Sequence, residues 1–188
     1  MSEPEAPRDP EVQVRVSGPA DVAWVDAAVG LIHEAAAEHD IAERSPAMLR
    51  HKIESGRAAL ALQRRGGTEE LVGFGYYSEW EGGRFVSHSG LVVRPELRGR
   101  GLGRRLKQAL FQASRERFPD AATMSLTTSP QVKAMNLSLG FQVVPLERLT
   151  SDPAFWDGCR TCRNYEEVKR RGEICCCEGM LLEPQPPD

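Results

Sequence analysis

The spacing of apolar residues changes along the chain and predicts both strands and helices. Apolar and polar residues alternate from Glu11 to Val16, which is typical of a strand, and from Asp21 to about Glu38 apolar residues recur at helical spacing. Ser45 followed by Pro46 predicts a second helix that ends near residue 56, because a Ser side chain caps free amides and Pro fits the first helical turn.

The rest of the chain continues this alternation. A glycine pair at 66–67 and another at 82–83 predict hairpin turns between strands. The further elements are strands at Ala58–Gln63, Leu71–Trp80 and Phe85–Val93, a helix at Gly101–Phe118, a strand at Ala122–Thr127, a short helix at Pro130–Ser138 and a strand at Phe141–Val144. The order β-α-α-β-β-β-α-β-α-β predicts an α/β fold, a mixed sheet with helices on its faces.

The length and net charge of the chain limit the classes of protein to which it can belong. The 188 residues suit one domain, and a net charge of -3 favours neither nucleic acid nor an acidic surface as a partner. No apolar run is long enough to span a membrane. The acidic, Pro-rich start lacks a secretory pattern, so we expect a cytoplasmic protein, either a monomer or a homodimer. The expected organisation is a disordered lead-in (1–10), a main domain (11–148), a cysteine-rich extension (149–182) and a tail (183–188).

A glycine-rich loop lies between a strand and a long amphipathic helix, after Pro95. The first amides of a helix lack internal partners and favour negative charge, so this loop predicts an anion site. Gly101 and Gly103 let a phosphate approach the backbone. Arg98 and Arg104 are among the arginines that add positive charge. The loop lacks the Gly-Lys-Ser/Thr ending of a nucleoside triphosphate loop.

The stretch from Leu91 to Leu106, with its Arg-x-x-Gly-x-Gly pattern, resembles the acetyl-CoA signature of the GNAT superfamily of N-acetyltransferases. Leu139-Gly140-Phe141 resembles the "LGF" that this superfamily carries at the end of its next helix. The resemblance covers about residues 12–144, including the element order, and implies a GNAT fold with acetyl-CoA as co-substrate. By position, it implies main-chain pairing with the pantetheine arm and a pyrophosphate cradle formed by Leu91, Val92, Val93, Arg98, Gly99, Arg100, Gly101, Leu102, Gly103 and Arg104.

The resemblance also places the acetyl thioester where the strands at 85–93 and 122–127 separate. Acetyl transfer to an amine needs a base and a proton donor for the departing thiolate. Candidate bases are Glu79, Glu81 and His88, which lie on or near the central strands. Where the family commonly has a Tyr that protonates the thiolate, this chain has Asn136, which can hydrogen-bond to sulfur but cannot act as an acid. Tyr76 and its neighbour Tyr77 are the alternative donors.

The acceptor side is expected in the N-terminal part of the domain. Charged residues cluster late in the first helix, and Arg44 follows them. A guanidinium can hold a carboxylate through two parallel hydrogen bonds. This region loosely resembles that of amino-acid N-acetyltransferases of the N-acetylglutamate synthase kind. The alternative is a solvated, charged helix end.

All five cysteines fall between residues 159 and 177. A Cys-x-x-Cys pair followed by further cysteines fits tetrahedral zinc ligation, with Cys159, Cys162, Cys175 and Cys177 as ligands of a structural zinc ion. Cys176 points away if the segment is extended. The layout also resembles a C-terminal extension found in some bacterial GNAT proteins. Redox chemistry and plain packing of small thiols remain alternatives.

These features together predict transfer of acetyl from acetyl-CoA to a primary amine of a small molecule, such as an amino acid. The amine would attack directly within a ternary complex, since no Cys lies near the predicted thioester. A protein N-acetyltransferase would use the same donor site but an open acceptor groove. A non-catalytic CoA-binding or metal-sensing regulator would explain the missing Tyr and the cysteine cluster.

Overall fold

A single seven-stranded sheet organises the protein, which is described here by a computed structural model over residues 11–184. Its strands are β1 (Val12–Val16), β2 (Ala58–Arg65), β3 (Thr68–Trp80), β4 (Phe85–Val93), β5 (Ala122–Thr127), β6 (Gln142–Val144) and β7 (Glu178–Leu182). Their order in the sheet is β1-β2-β3-β4-β5-β7-β6, in which β4 and β5 are parallel and the other neighbours antiparallel. The lead-in at 1–10 and the end of the tail lie outside the described residues.

Six α-helices accompany the sheet within residues 11–184. They are α1 (Val25–Glu38), α2 (Pro46–Glu54), α3 (Leu102–Arg117), α4 (Pro130–Ser138), α5 (Pro153–Asp157) and α6 (Tyr165–Arg170). The predicted first helix is preceded by a separate 3-10 turn at Pro19–Trp24. None of the helices in this range is both long and apolar enough to cross a membrane.

Helices cover both faces of the sheet. The apolar stripe of α3, with Leu102, Leu106 and Leu110, packs on one face against β2, β3 and β4. The apolar sides of α1 and α2 pack on the other face. Burial of these stripes is the main force that holds each helix on the sheet. The mixed α/β architecture predicted from the sequence is therefore confirmed.

The strand β7 was not predicted from the sequence. It lies between β5 and β6, and pairs Met180 with Ser125 on one side and Val143 on the other. Because both of its faces are covered, Gly179, Met180 and Leu181 are all buried, and the strand shows no alternation of apolar and polar residues. The cysteine-rich stretch is consequently an internal connection from β6 to β7, which we call the β6–β7 connection (residues 145–177).

The sheet opens in its middle. The parallel strands β4 and β5 pair from Phe85↔Ala122 to Ser87↔Met124, and in the described structure the pairing stops there although both strands continue. Beside the opening, β4 has a bulge, because two of its residues, Gly90 and Leu91, lie opposite one residue of β3. Strand separation and bulge together create a gap in the centre of the sheet.

Candidate active site

A large cavity passes through the gap between β4 and β5. Its volume is about 1320 Å³. Four parts of the chain form most of its wall: β4 with the glycine loop before α3, the loop between α1 and α2, β5 with the start of α4, and the β6–β7 connection. A cavity of this size can hold a long cofactor together with a small second molecule.

The glycine loop forms one end of the cavity. Gly99 and Gly101 both have a φ of +77°, a conformation that favours glycine, and Gly101 is the N-cap of α3. A Cβ atom at Gly103 would meet no atom within 4 Å, so the first turn of α3 is open to a ligand. Arg98 donates from Nε to the Val93 carbonyl oxygen at 3.0 Å, which holds its side chain against β4. This geometry suits the diphosphate predicted from the sequence.

The predicted cofactor-binding residues are brought together on this wall. Nine of the ten line the cavity: Leu91, Val92, Val93, Arg98, Gly99, Gly101, Leu102, Gly103 and Arg104. Arg100 is exposed and does not line it. Since the bulge at Gly90 and Leu91 takes residues out of the ladder with β3, main-chain groups there can pair with a ligand instead.

His88 is the first residue of β4 beyond the paired part of the gap, and it lines the cavity. Its Nε2 lies 3.3 Å from the Ser114 hydroxyl, whose own proton goes to the Phe111 carbonyl oxygen. Nε2 is therefore the donor, and Nδ1 carries the lone pair. That nitrogen is buried and has no hydrogen-bond partner among the described residues. Burial and then the nearby Lys107 lower the pKa of His88 well below its usual value, so the ring is neutral.

Lys107 was not predicted as a site residue. It lies in the second turn of α3, is 2% exposed and lines the cavity, with Nζ 4.8 Å from the centre of the Phe141 ring. Burial lowers the pKa of Lys107 to about 7. Among the described residues no carboxylate forms a salt bridge with it. A sequence signal existed, because Lys107 shares the buried side of α3 with Leu110 and Ser114.

Two further candidate bases do not reach the cavity. Glu79 forms an ion pair of 2.9 Å with Arg57 and is absent from the cavity wall. Glu81 accepts hydrogen bonds from the Thr150 hydroxyl at 2.6 Å and from the Ser151 amide at 2.9 Å, so it anchors the start of the β6–β7 connection. These bonds, the Thr150 hydroxyl first, lower the pKa of Glu81.

Asn136 is fully buried beneath the cavity wall and does not line it. Its Nδ2 donates to the Ser125 hydroxyl at 3.2 Å and lies 3.5 Å from the Met180 sulfur, while its Oδ1 has no partner among the described residues. The structure thus places Asn136 in the packing between α4 and the sheet.

The other end of the cavity is basic. Arg44 donates from Nε to the Tyr76 hydroxyl oxygen at 2.6 Å and from Nη1 to the Gly158 carbonyl oxygen at 3.2 Å. Lys52 lies with Nζ 5.9 Å from the centre of the Tyr76 ring, and burial lowers its pKa to about 8. Ser87 also faces this end, where its hydroxyl accepts from Trp80 Nε1 at 2.8 Å. Two cations and several hydroxyl groups can bind an anionic molecule here.

The four cysteines predicted as metal ligands all line the cavity. The sulfur atoms of Cys175, Cys176 and Cys177 lie within 4.8 Å of one another. The Cys175 sulfur is hydrogen-bonded by the thiols of Cys159 and Cys177, which lowers the pKa of Cys175 and raises that of the two donors. The condition for the predicted orientation of Cys176, an extended segment, is not met, because residues 173–177 contain bends and no strand. Cys176 is nevertheless the exposed member of the five.

A mixed sheet opened between two parallel strands, with a glycine loop and a helix N-terminus beside the opening, defines the class of acyl-CoA-dependent acyltransferases. The chain belongs to the acetyltransferase (GNAT) family, whose model matches residues 31–141. That match includes α3 and the glycine loop and excludes the cysteines of the β6–β7 connection.

Solved structures support the fold assignment. A Mycobacterium tuberculosis protein in complex with CoA has 18% identity and a TM-score of 0.64, over 91% of this chain and 98% of its own. N-acetylglutamate synthase from Neisseria gonorrhoeae, complexed with CoA and N-acetyl-glutamate, has 16% identity and a TM-score of 0.63, over 95% of this chain and 36% of its own. Phosphinothricin acetyltransferase from Sinorhizobium meliloti, in complex with AcCoA, has 17% identity and a TM-score of 0.62, over 94% and 93%. No curated protein gives a significant match.

Proposed function

We propose that the protein transfers the acetyl group of acetyl-CoA to the primary amine of a small molecule that also carries a carboxylate. The observation that carries this proposal is one continuous cavity, which joins the glycine loop to the basic end formed by Arg44 and Lys52. The carboxylate would bind at Arg44, and the amine would then point toward the gap between β4 and β5. Among proteins of similar fold, the Neisseria synthase binds N-acetyl-glutamate and the Sinorhizobium protein is a phosphinothricin acetyltransferase, which supports an amino-acid-like acceptor.

A small acceptor fits this site better than a protein chain does. The β6–β7 connection covers the acceptor end, since Thr161 donates to the Glu43 carbonyl oxygen at 2.9 Å and Arg163 to the Asp40 carboxylate at 2.7 Å. These contacts tie the connection to the loop between α1 and α2. A peptide acceptor would need an open groove at that position. A cytoplasmic setting, where acetyl-CoA is available and thiols stay reduced, fits the same proposal.

The proposed reaction is direct attack in a ternary complex. The neutral amine attacks the thioester carbonyl carbon, a C–N bond forms, and the C–S bond breaks. The amine proton passes to the free Nδ1 of His88, and the ammonium of Lys107 gives a proton to the CoA thiolate. Lys107 lies close enough to His88 to lower the pKa of the ring. In this scheme the proton then returns from His88 to Lys107, which restores both groups. The products are an N-acetylated amine and CoA, with no proton gained or lost by the protein.

The roles of Glu79 and Asn136 follow from their positions. With Glu79 in an ion pair with Arg57, we assign the base to His88 alone. With Asn136 buried outside the cavity, we assign the acid to Lys107. Glu79 and Asn136 then act on catalysis only through the packing around β3 and β5.

An acceptor panel tests the proposal. Each α-amino acid is compared with its methyl ester, which keeps the amine and lacks the negative charge, and the acetylated product is measured by mass spectrometry. We expect kcat/KM to be about 10- to 100-fold higher for the acid, because a charge-assisted hydrogen bond contributes about 1.5–3 kcal/mol. Arg44→Gln should remove this preference, and Arg50→Gln, an exposed residue of α2 paired with Glu54, should retain it. Equal rates for acids and esters, or turnover of peptides alone, would contradict the proposal.

A further inference from the structure

We propose that Cys159, Cys162, Cys175 and Cys177 form a tetrahedral zinc site that holds the β6–β7 connection against the loop between α1 and α2. The family match ends before these residues, and the acetyl transfer proposed above uses none of them. Two pairs of thiols in the wall of one cavity carry the inference, because the Cys175 sulfur contacts Cys177 of its own pair and Cys159 of the other.

The local backbone brings the thiols together in two pairs. Residues Gly158–Thr161 form a 3-10 turn, closed by a hydrogen bond of 2.9 Å from the Cys162 amide to the Cys159 carbonyl oxygen. Side chains three residues apart in such a turn lie on the same side. The second pair comes from the bends at 173–177, where the Cys175 sulfur contacts both Cys177 and Cys159.

The observed spacing is close to that of a metal site. Zinc–sulfur bonds of about 2.3 Å place tetrahedral thiolates about 3.8 Å apart. The sulfur atoms of Cys175 and Cys177 lie, together with that of Cys176, within 4.8 Å of one another, and the Cys175 sulfur also contacts Cys159. Zinc binding would draw the four ligand thiols together from these positions. Soft thiolate ligands in this arrangement select zinc over calcium or magnesium.

The segment also buries few apolar side chains of its own. Across residues 158–177 only Val168 is buried, and Ile174 is 51% exposed. Its two short helical pieces cannot persist alone, since short isolated helices are marginal in water. Small segments without a hydrophobic core usually depend on a metal or a disulfide. The zinc ion would provide that support for this segment.

The fifth cysteine serves as a matched control. Cys176 is exposed, whereas the four proposed ligands are half-buried, and its sulfur accepts a hydrogen bond from Asn164 Nδ2 at 3.3 Å. Cys176 lies between two proposed ligands in the sequence, but its sulfur is hydrogen-bonded to Asn164. Replacing it should therefore leave the metal in place.

Zinc binding would hold the loop between α1 and α2 in place at the proposed acceptor end of the cavity. The turn at 158–161 meets the loop between α1 and α2 through Gly158 with Arg44 and through Thr161 with Glu43. Loss of zinc should free this loop and leave the glycine loop, on the far side of the cavity, unchanged.

The test measures metal per chain by mass spectrometry of the full-length protein, purified under reducing conditions. We expect about one zinc ion in the parent and in Cys176→Ser, and at least a fivefold loss in Cys159→Ser, Cys162→Ser, Cys175→Ser and Cys177→Ser. Hydrogen exchange at residues 39–45 should become faster in the four variants, with exchange in β2 and β3 and affinity for CoA unchanged.

Three results would overturn the inference: a parent without metal and with five titratable thiols, a parent in which a disulfide replaces two thiols, or loss of zinc in Cys176→Ser equal to that in Cys175→Ser. None of these results depends on turnover, so failure of the zinc site and failure of the proposed acetyl transfer can be told apart.

Discussion

Arg44 donates a hydrogen bond of 2.6 Å from Nε to the hydroxyl oxygen of Tyr76. This bond joins the loop between α1 and α2 to the central strand β3, next to the bulge of β4. The same guanidinium reaches the β6–β7 connection at Gly158. Three separate parts of the chain therefore meet at one side chain, and this side chain lies at the basic end of the cavity.

Tyr76→Phe should weaken acceptor binding selectively. The ring still packs against β4, but Arg44 loses its partner, so we expect KM for a carboxylate acceptor to rise about 3- to 10-fold, in line with loss of a hydrogen bond to a charged group. CoA affinity should not change. Tyr77→Phe is the matched control, because Tyr77 is buried on the opposite face of the sheet. Steady-state kinetics with both substrates varied checks this, and equal effects of the two variants would contradict it.

Gly101→Glu should abolish CoA binding. The new carboxylate would lie at the N-cap of α3, where the diphosphate is expected, and like charges there cost several kcal/mol. We expect affinity for CoA to fall by about 100-fold or more, measured by calorimetry. Gly66→Glu is the control, since Gly66 also has a positive φ, of +54°, and open space around it in a distant hairpin. Retained CoA binding in Gly101→Glu would remove the glycine loop from the site.

Lys107→Met should stabilise the protein in a pH-dependent way. Burial lowers the pKa of Lys107 from 10.5 to about 7, so the folded state disfavours the ammonium. This destabilisation is fully present below pH 7, is relieved as the pH rises from 7 toward 10.5, and corresponds to at most about 5 kcal/mol at pH 6. Unfolding in urea at pH 6 and pH 9.5 should show a larger gain for the variant at pH 6. Lys169→Met, at an exposed site, should show no such difference.

Lys107→Met should also lose activity, and the loss should be largest at low pH, where Lys107 of the parent is an ammonium. If Lys107 protonates the thiolate, the ratio of parent to variant kcat/KM should be large at pH 6 and fall as the pH passes about 7. Ionisation of the acceptor amine cancels in this ratio. A ratio that stays constant with pH would show that Lys107 has a structural role and does not protonate the thiolate.

Gly90→Ala should be more damaging than an ordinary substitution at a positive φ. Gly90 has a φ of +62°, and a Cβ atom there would lie 2.7 Å from Cε1 of the Tyr76 ring. Gly82 has a similar φ of +65° but open space, so Gly82→Ala measures the backbone strain alone, about 1–2 kcal/mol. We expect Gly90→Ala to lose a further 1–3 kcal/mol or so of unfolding free energy through the clash. Chemical denaturation of both variants gives the comparison, and equal losses would show that the bulge tolerates a side chain.

The sequence by itself determined the elements up to β6 and the position of the glycine loop before α3. Strands at Phe85–Val93 and Ala122–Thr127 and the helix at Pro130–Ser138 were predicted with the bounds that the structure shows. The glycine loop, predicted from the sequence as a diphosphate site, lies on the cavity wall. These features depend on local physics, namely apolar periodicity, helix capping and the backbone freedom of glycine, which a short stretch of sequence carries in full.

Only the tertiary structure decided which polar groups meet in the cavity. It brought His88 and Lys107 together and left Glu79 in an ion pair outside. It also inserted β7 into the sheet, so that an apparent C-terminal extension became an internal connection that lines the cavity. Burial and long-range strand pairing bring together residues that are far apart in the chain. Such contacts cannot be predicted from the local spacing of residues.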